Sequence, residues 1–179
     1  MKYTFSQTLE NGSRKDAGNE QVVPVKEQIV VQLNGNGGGR FPRQCVRERF
    51  ALTTKPLNLV KLSEGLQTQD RIQIVHQTLR HISKIYSMNL GSVTKDRNKV
   101  ENLRLLLDRQ LNELEECVRK QGSEARLRKN STIQKYFRKL RKFLKQKTFS
   151  NCAWEIIRAE TRARLQQLLY LMAQIRRRN

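Results

Sequence analysis

The chain has 179 residues and a formal net charge of +20, because 36 lysines and arginines outnumber 16 acidic residues. This length suits one domain with a sizeable core and is too short for two full domains. No apolar run is long enough to span a bilayer, so we expect no membrane insertion. The charge attracts nucleic acid, heparan sulfate and anionic lipid alike, and it does not identify a partner by itself.

The N-terminal segment differs in character from the rest of the chain. Residues 1–21 are polar with little periodicity, which is typical of disorder, and they contain no apolar stretch of the length a secretory signal needs. Residues 22–33 favour either a strand, through their β-branched side chains, or a short helix. The glycine-rich run 34–39 then ends any regular element. We therefore predict residues 1–40 as disordered or atypical.

Four helices are predicted after a long mixed connection over residues 41–56. Their apolar residues recur at alternating steps of three and four, the spacing of an amphipathic helix. The four apolar stripes are Ile72, Val75, Leu79, Ile82 and Tyr86; Val100, Leu103, Leu107, Leu111, Leu114 and Val118; Ile133, Tyr136, Phe137, Leu140, Phe143 and Leu144; and Trp154, Ile157, Thr161, Leu165, Leu168, Met172 and Ile175. Exposing them would cost ~25 cal/mol per Å² of apolar area, so the helices must pack together. This predicts an all-α bundle with long crossover loops over residues 41–179.

The polar faces of these helices carry much of the charge. Arg71 and Lys84 are predicted to face solvent, and His76, beside the first stripe, is predicted to make a surface or partly buried polar contact. The outer face of the third helix is either a solvated surface or a polyanion-binding patch. That face comprises Arg138, Lys139, Arg141, Lys142, Lys145 and Lys147, and the basic tail 176–178 adds to it.

The triplet Asn130-Ser-Thr at the start of the third helix has two interpretations. It is a glycosylation sequon that secretion would make usable, so Asn130 is a possible glycosylation site. It is also a helix start, where Ser131 or Thr132 can accept hydrogen bonds from the free amides of the first turn.

No motif predicts catalysis, a cofactor or a metal ion. Cys45, Cys117 and Cys152 are widely spread and form no metal-binding spacing. The sequence shows no phosphate loop and no Ser/His/Asp order, and it shows no nucleic-acid-reading motif. We therefore expect that the protein is not an enzyme. In an oxidising compartment the three cysteines give one disulfide and one thiol, whereas in the cytosol all three stay reduced.

The last two predicted helices resemble those of a type I interferon. They carry Lys-Tyr-Phe from residue 135, Phe-Leu-Lys from residue 143, and Ser-x-Cys-Ala-Trp-Glu-Ile-Ile-Arg-Ala-Glu from residue 150. Upstream, Cys45 with Arg49 four residues later is similar to the first long loop of that family, and residues 110–118 are similar to the end of its third helix. The resemblance covers about three quarters of the chain and implies a secreted helical cytokine of antiviral innate immunity.

The resemblance also implies a disulfide and two receptor contacts. It pairs Cys45 with Cys152 and leaves Cys117 unpaired, because no cysteine precedes Cys45. It implies that the protein binds both chains of the interferon alpha/beta receptor and so triggers Janus kinase and STAT signalling. The residues implied for the tighter chain are Val46, Arg49, Arg158, Ala159 and Arg162, although Arg162 departs from the commoner family residue. Those implied for the weaker chain are His76, Gln77, Arg80 and Arg104.

The N-terminal segment departs from the family. Residues 22–39 are too short and too glycine-rich to replace its long first helix, which is therefore short or missing here. An alternative first exon, a gene-model error or a true leaderless intracellular form would each explain this. Two further hypotheses for function stay open: a basic helical protein that binds nucleic acid or heparan sulfate, and an inactive leaderless variant.

Overall fold

The computed structural model describes residues 41–88, 97–120 and 129–178. Within these ranges, the side chains of 97–100, 117, 118, 120 and 176–178 are not described. Several predictions therefore lie outside the described residues. They concern the N-terminal segment 1–40, the short or missing first helix, the unpaired thiol of Cys117 and the side chains of the basic tail.

The described residues form six α-helices and one short 3-10 helix, without a strand. The 3-10 helix Arg43–Cys45 leads directly into the first α-helix. The α-helices are α1 Val46–Arg49, α2 Leu59–Leu62, α3 Thr68–Tyr86, α4 Arg97–Lys120, α5 Ser131–Gln146 and α6 Asn151–Arg178. The four long helices coincide with the four predicted stripes, and the all-α fold class is confirmed.

The helix starts follow from local side-chain chemistry. Asn58 begins α2 by accepting a hydrogen bond from the Lys61 amide at 3.0 Å. Asn130 begins α5 by accepting from the amides of Thr132 and Ile133 at 3.0 and 3.1 Å. Such capping satisfies amides that have no partner inside the helix. The prediction that Ser131 or Thr132 caps α5 was therefore wrong, because Asn130 itself occupies the cap position.

The core lies between the long helices, with α6 at its centre. Helix α6 packs against α3 and α5, and it also contacts α1, α2 and the 3-10 helix, while α4 packs along α3. The described residues of the predicted stripes are buried, except that Trp154 is only partly buried against the core. Side chains of every long helix are fully enclosed, among them Leu79, Ile82, Leu107, Leu114, Phe137, Leu140, Ile157 and Leu171.

The segment before α3 lies across the surfaces of α3 and α6. Arg164 of α6 donates a hydrogen bond to the carbonyl oxygen of Leu57, and the Leu59 amide donates to Gln167 Oε1 at 3.1 Å. Arg71 donates to the carbonyl oxygen of Leu66 at 3.1 Å and to Gln174 Oε1 at 3.2 Å. Arg71 is therefore buried, and the prediction that it faces solvent was wrong because the preceding segment covers it.

Candidate functional site

A disulfide joins the first connection to the start of α6. Cys45 and Cys152 are bonded with their Cα atoms 5.1 Å apart, as the family resemblance implied. Cys45 is buried at 1% exposure, and both the 3-10 helix and α1 pack against α6. Residues of the connection and of the last helix are thereby held on neighbouring elements, although 107 positions separate the two cysteines in sequence.

Helix α1 presents apolar and cationic side chains to solvent beside this disulfide. Val46 is 44% exposed and Phe50 is 81% exposed. Arg49 is also exposed, and its guanidinium lies 5.7 Å from the centre of the Phe41 ring. Phe50 was missed in the sequence analysis, yet its sequence signal is an apolar residue inside a charged run that belongs to no stripe. Large exposed apolar side chains next to arginine are typical of protein-binding surfaces.

The α6 residues predicted to contact the tighter receptor chain begin more than one helical turn after Cys152. Arg158 makes a salt bridge with Glu155, donating to its Oε2 from Nε at 3.0 Å and from a terminal nitrogen at 2.6 Å. Ala159 and Arg162 are both partly exposed. These side chains, together with Val46, Arg49 and Phe50, we call the α1–α6 surface.

The second predicted set lies on α3 and α4. Arg80 is exposed and Arg104 is partly exposed. Gln77 is partly exposed, and its Oε1 accepts a hydrogen bond from the Asn130 amide at 2.9 Å. His76 is only 3% exposed and its Nε2 lies 3.3 Å from Glu115 of α4. The predicted polar contact of His76 is therefore made with Glu115, with the side chain buried between α3 and α4 and not at the surface.

The predicted basic face of α5 is present. Arg138, Lys139, Lys142 and Lys145 are exposed, and the helix contains no acidic residue. His81 of α3 stacks on Phe137 with ring centres 5.1 Å apart, and its Nδ1 lies 3.3 Å from an Arg141 nitrogen. Burial, followed by the charges of Arg141, Lys84 and Arg80, lowers the pKa of His81 to about 4.

Two tyrosines form polar contacts between the helices. The hydroxyl of Tyr86 lies 2.9 Å from that of Thr161, and burial raises the pKa of Tyr86 to about 12. The hydroxyl of Tyr136 donates to Glu160, and burial, followed by the Glu160 charge, raises its pKa as well. Both phenols are therefore neutral at physiological pH and act in packing.

The described residues contain no cluster of potential ligands that could hold a metal ion. None of the helices described here combines the length and the apolar character needed to cross a bilayer. The arrangement is one of exposed contact surfaces on a rigid helical frame.

Comparisons with known proteins agree with these features. A family model described as interferon alpha/beta domain matches residues 19–175. Bovine interferon alpha-F is 32% identical over 126 residues, which cover 66% of this chain and 65% of that protein, slightly less than two thirds of its length. Interferon a3 of Oncorhynchus mykiss is 31% identical over 121 residues, covering 67% of this chain and 66% of that protein.

Solved structures show the same architecture. Zebrafish interferon 1 superimposes with a TM-score of 0.67 at 27% identity, covering 84% of this chain and 94% of that one. Zebrafish interferon 2 gives a TM-score of 0.58 at 22% identity over 80% and 94% of the two chains, a likeness of fold alone.

Proposed function

Because this chain belongs to the interferon alpha/beta family, and is thus a type I interferon cytokine of antiviral innate immunity, we propose that it acts by binding both chains of the interferon alpha/beta receptor at once. Membership of this cytokine family favours action outside the cell. Each receptor chain meets its own surface of the bundle. Holding the two chains together raises the effective concentration of their Janus kinases for each other, and STAT phosphorylation follows.

The tighter receptor chain binds the α1–α6 surface in this proposal. The observation that carries it is the disulfide between Cys45 and Cys152, which fixes α1 beside the start of α6. Val46 and Phe50 provide exposed apolar area on this surface, Arg49 lies between them in sequence, and Arg158 lies on α6. Such a combination of apolar centre and cationic rim is what a hot spot of protein recognition requires.

Two of the three arginines of this surface are restrained before a partner arrives. Arg49 is held over the Phe41 ring, and Arg158 is held by Glu155. A guanidinium that already occupies one geometry loses less side-chain entropy when it pairs with a partner carboxylate. Both arginines are therefore suited to bind a receptor chain tightly.

The weaker receptor chain binds the surface of α3 and α4 around Arg80 and Arg104. Both side chains reach solvent, on helices that pack side by side. Gln77 contributes less in this proposal because its amide oxygen is already engaged by the start of α5. His76 makes no direct contact, because it is buried against Glu115.

Replacing Arg49 or Arg158 of the α1–α6 surface tests the proposal. We predict that Arg49→Ala and Arg158→Ala each weaken binding to the tighter receptor chain by about tenfold or more, the effect expected of a hot-spot side chain. Surface plasmon resonance against the isolated receptor ectodomains measures this effect, and circular dichroism checks that helicity is retained.

Arg109→Ala is the matched control. Arg109 also forms a helical ion pair, with Glu113 at 3.5 Å, but it lies on α4 and outside the α1–α6 surface. We expect its replacement to leave affinity for the tighter chain unchanged. If Arg49→Ala and Arg158→Ala bind as well as the wild type does, the assignment of this surface is wrong.

A further inference from the structure

Basic side chains of α3 and α5 converge on one continuous surface of the bundle. Gln77 of α3 contacts Asn130 at the start of α5, and His81, one turn later in α3, contacts Phe137 and Arg141 further along α5. The two helices therefore run side by side in the same direction. Arg80 and Lys84 of α3 consequently lie beside the basic face of α5, which adds Arg138, Lys142 and Lys145.

Neither α3 nor α5 carries an acidic residue near the cations of this surface. Helix α5 contains no acidic residue, and the single acidic residue of α3, Asp70, stands at its opposite end from Lys84. Burial is the largest cause of the depressed pKa of His81, and the charges of Arg141 from one helix and of Lys84 and Arg80 from the other lower it further, in agreement with this geometry. His81 remains neutral, and it offers a ring nitrogen to Arg141 instead of repelling it.

From this geometry we propose that the surface formed by Arg80, Lys84, Arg138, Arg141, Lys142 and Lys145, here called the α3–α5 basic surface, binds sulfated glycosaminoglycan chains. The positions of the cations fit an extended polyanion. Arg138, Lys142 and Lys145 follow one side of α5 over about two turns, or roughly 10 Å at 1.5 Å rise per residue. Lys84 and Arg80 form a second row on the neighbouring helix, so the surface is wide enough for a chain of sulfate groups.

The surface lacks the features that single-stranded nucleic acid and bilayers would use. The aromatic rings of Tyr136 and Phe137 are buried, so none is available on α5 to stack on nucleic-acid bases. The apolar side chains of α5 are likewise buried in the core, so this helix has no free apolar face to insert into a bilayer. A partner bound by charge alone, in the extracellular space where relatives of this family act, is a sulfated polysaccharide. This step rests on family membership and not on the receptor assignment.

The test compares two variants that remove the same charge from different places. Lys84→Gln/Arg138→Gln/Lys145→Gln removes three exposed cations of the α3–α5 basic surface, and Arg47→Gln/Lys55→Gln/Lys61→Gln removes three exposed cations elsewhere. Arg80 stays unchanged because it also belongs to the proposed receptor surface. Binding of the full chain to immobilised heparin is measured at several salt concentrations, beside desulfated heparin, duplex DNA and vesicles containing phosphatidylserine.

We expect the first variant to bind heparin on the order of tenfold more weakly at physiological salt, with a shallower salt dependence, because it releases fewer counterions. The second variant should bind nearly as the wild type does. Affinity for both receptor ectodomains should persist in the first variant, which separates this proposal from the receptor assignment. The proposal would be overturned if both variants lost the same affinity for heparin, or if the wild type bound desulfated heparin as tightly as heparin. Tighter binding of the wild type to DNA or to vesicles than to heparin would also overturn it.

Discussion

Arg164 shows how one buried charged residue fixes a connection to the bundle. It is 7% exposed, its guanidinium lies 5.5 Å from the centre of the Tyr136 ring, and it donates a hydrogen bond to the carbonyl oxygen of Leu57. It thus links α6, α5 and the segment that runs from α1 to α2. Because the segment carries no side chain that binds Arg164, its sequence gives no sign of this contact.

We predict that Arg164→Ala lowers the free energy of unfolding by about 1–3 kcal/mol, the cost of leaving a buried carbonyl without its donor. Loss of the stacking on Tyr136 adds to this effect. Urea unfolding followed by circular dichroism measures the change. Arg109→Ala, at an exposed site, is the control and should change stability by less than about 0.5 kcal/mol. Equal stability of the two variants would show that the Leu57 contact contributes little.

His81 makes stability depend on pH in a direction that its surroundings determine. Its pKa is about 4 in the folded protein against 6.5 for an unperturbed histidine, chiefly because of burial and then because of Arg141, Lys84 and Arg80. Between these two pH values the unfolded chain binds a proton that the folded chain does not. Stability therefore falls as pH falls from about 6.5 towards 4.

We predict that His81→Gln reduces this pH dependence, because glutamine does not titrate while its amide oxygen can still accept from Arg141. Thermal unfolding at intervals between pH 4 and pH 7 measures the slope for both proteins. The wild type should lose more stability than the variant over this range. Parallel curves would mean that protonation of His81 has no cost in the folded state.

The buried polar residues also show the limit of reading burial from periodicity. A helical period locates the side that faces other helices, and it placed Leu79 and Phe137 correctly. It carries no information on connections that cover the opposite side. Arg71 was expected in solvent for this reason, but the connection before α3 covers it.

At the scale of the elements, α5 begins at a residue with two possible roles. Asn130 caps the helix through its side-chain oxygen, and it is also the acceptor residue of the sequon Asn130-Ser-Thr. These roles can be separated because Thr132 completes the sequon but donates to the cap only through its backbone amide.

We predict that Asn130→Ala lowers the free energy of unfolding of the unglycosylated protein by about 1 kcal/mol, the usual cost of losing an N-cap. Thr132→Ala removes the same sequon and keeps the cap, so it should leave stability nearly unchanged. Denaturant unfolding of bacterially produced protein measures both. If the two variants unfold at the same denaturant concentration, the side-chain cap is not a source of stability.

Long and short helices differ in how far the sequence determines them. The four long helices were predicted within a few residues of their ends, because each carries at least two turns of apolar spacing. The helices Val46–Arg49 and Leu59–Leu62 are too short to show a period. Their surroundings support them, since the disulfide at Cys45 precedes the first and the Leu59 amide is bound by Gln167 of α6. The exposure of Phe50 depends on the first of these helices, so its one signal in the sequence is its place in a charged run outside every stripe.

At the scale of the whole molecule, α6 organises both the core and the candidate surfaces. Its apolar side packs on α3 and α5, while its start carries Cys152 and its next turns carry Arg158 and Ala159. Periodicity alone predicts such a bundle, but three cysteines allow three different pairings. The choice of Cys45 with Cys152 came from resemblance, and the structure confirms it. The receptor contacts came from resemblance too, and they stay a prediction.

The disulfide links the stability of the molecule to its proposed recognition. It closes a loop of 107 residues, for which the chain-entropy estimate is about 4–5 kcal/mol of stabilisation.

We predict that the double replacement Cys45→Ala/Cys152→Ala lowers the free energy of unfolding by about that amount. The variant should also lose more affinity for the tighter receptor chain than for the weaker one, because only α1 loses its covalent link to α6. Urea unfolding and plasmon resonance, each with and without dithiothreitol, measure these effects. The reductant should bring the wild type to the behaviour of the variant and leave the variant unchanged. If the oxidised wild type and the variant have the same stability and the same affinity for each receptor chain, the disulfide neither stabilises the bundle nor positions Arg49.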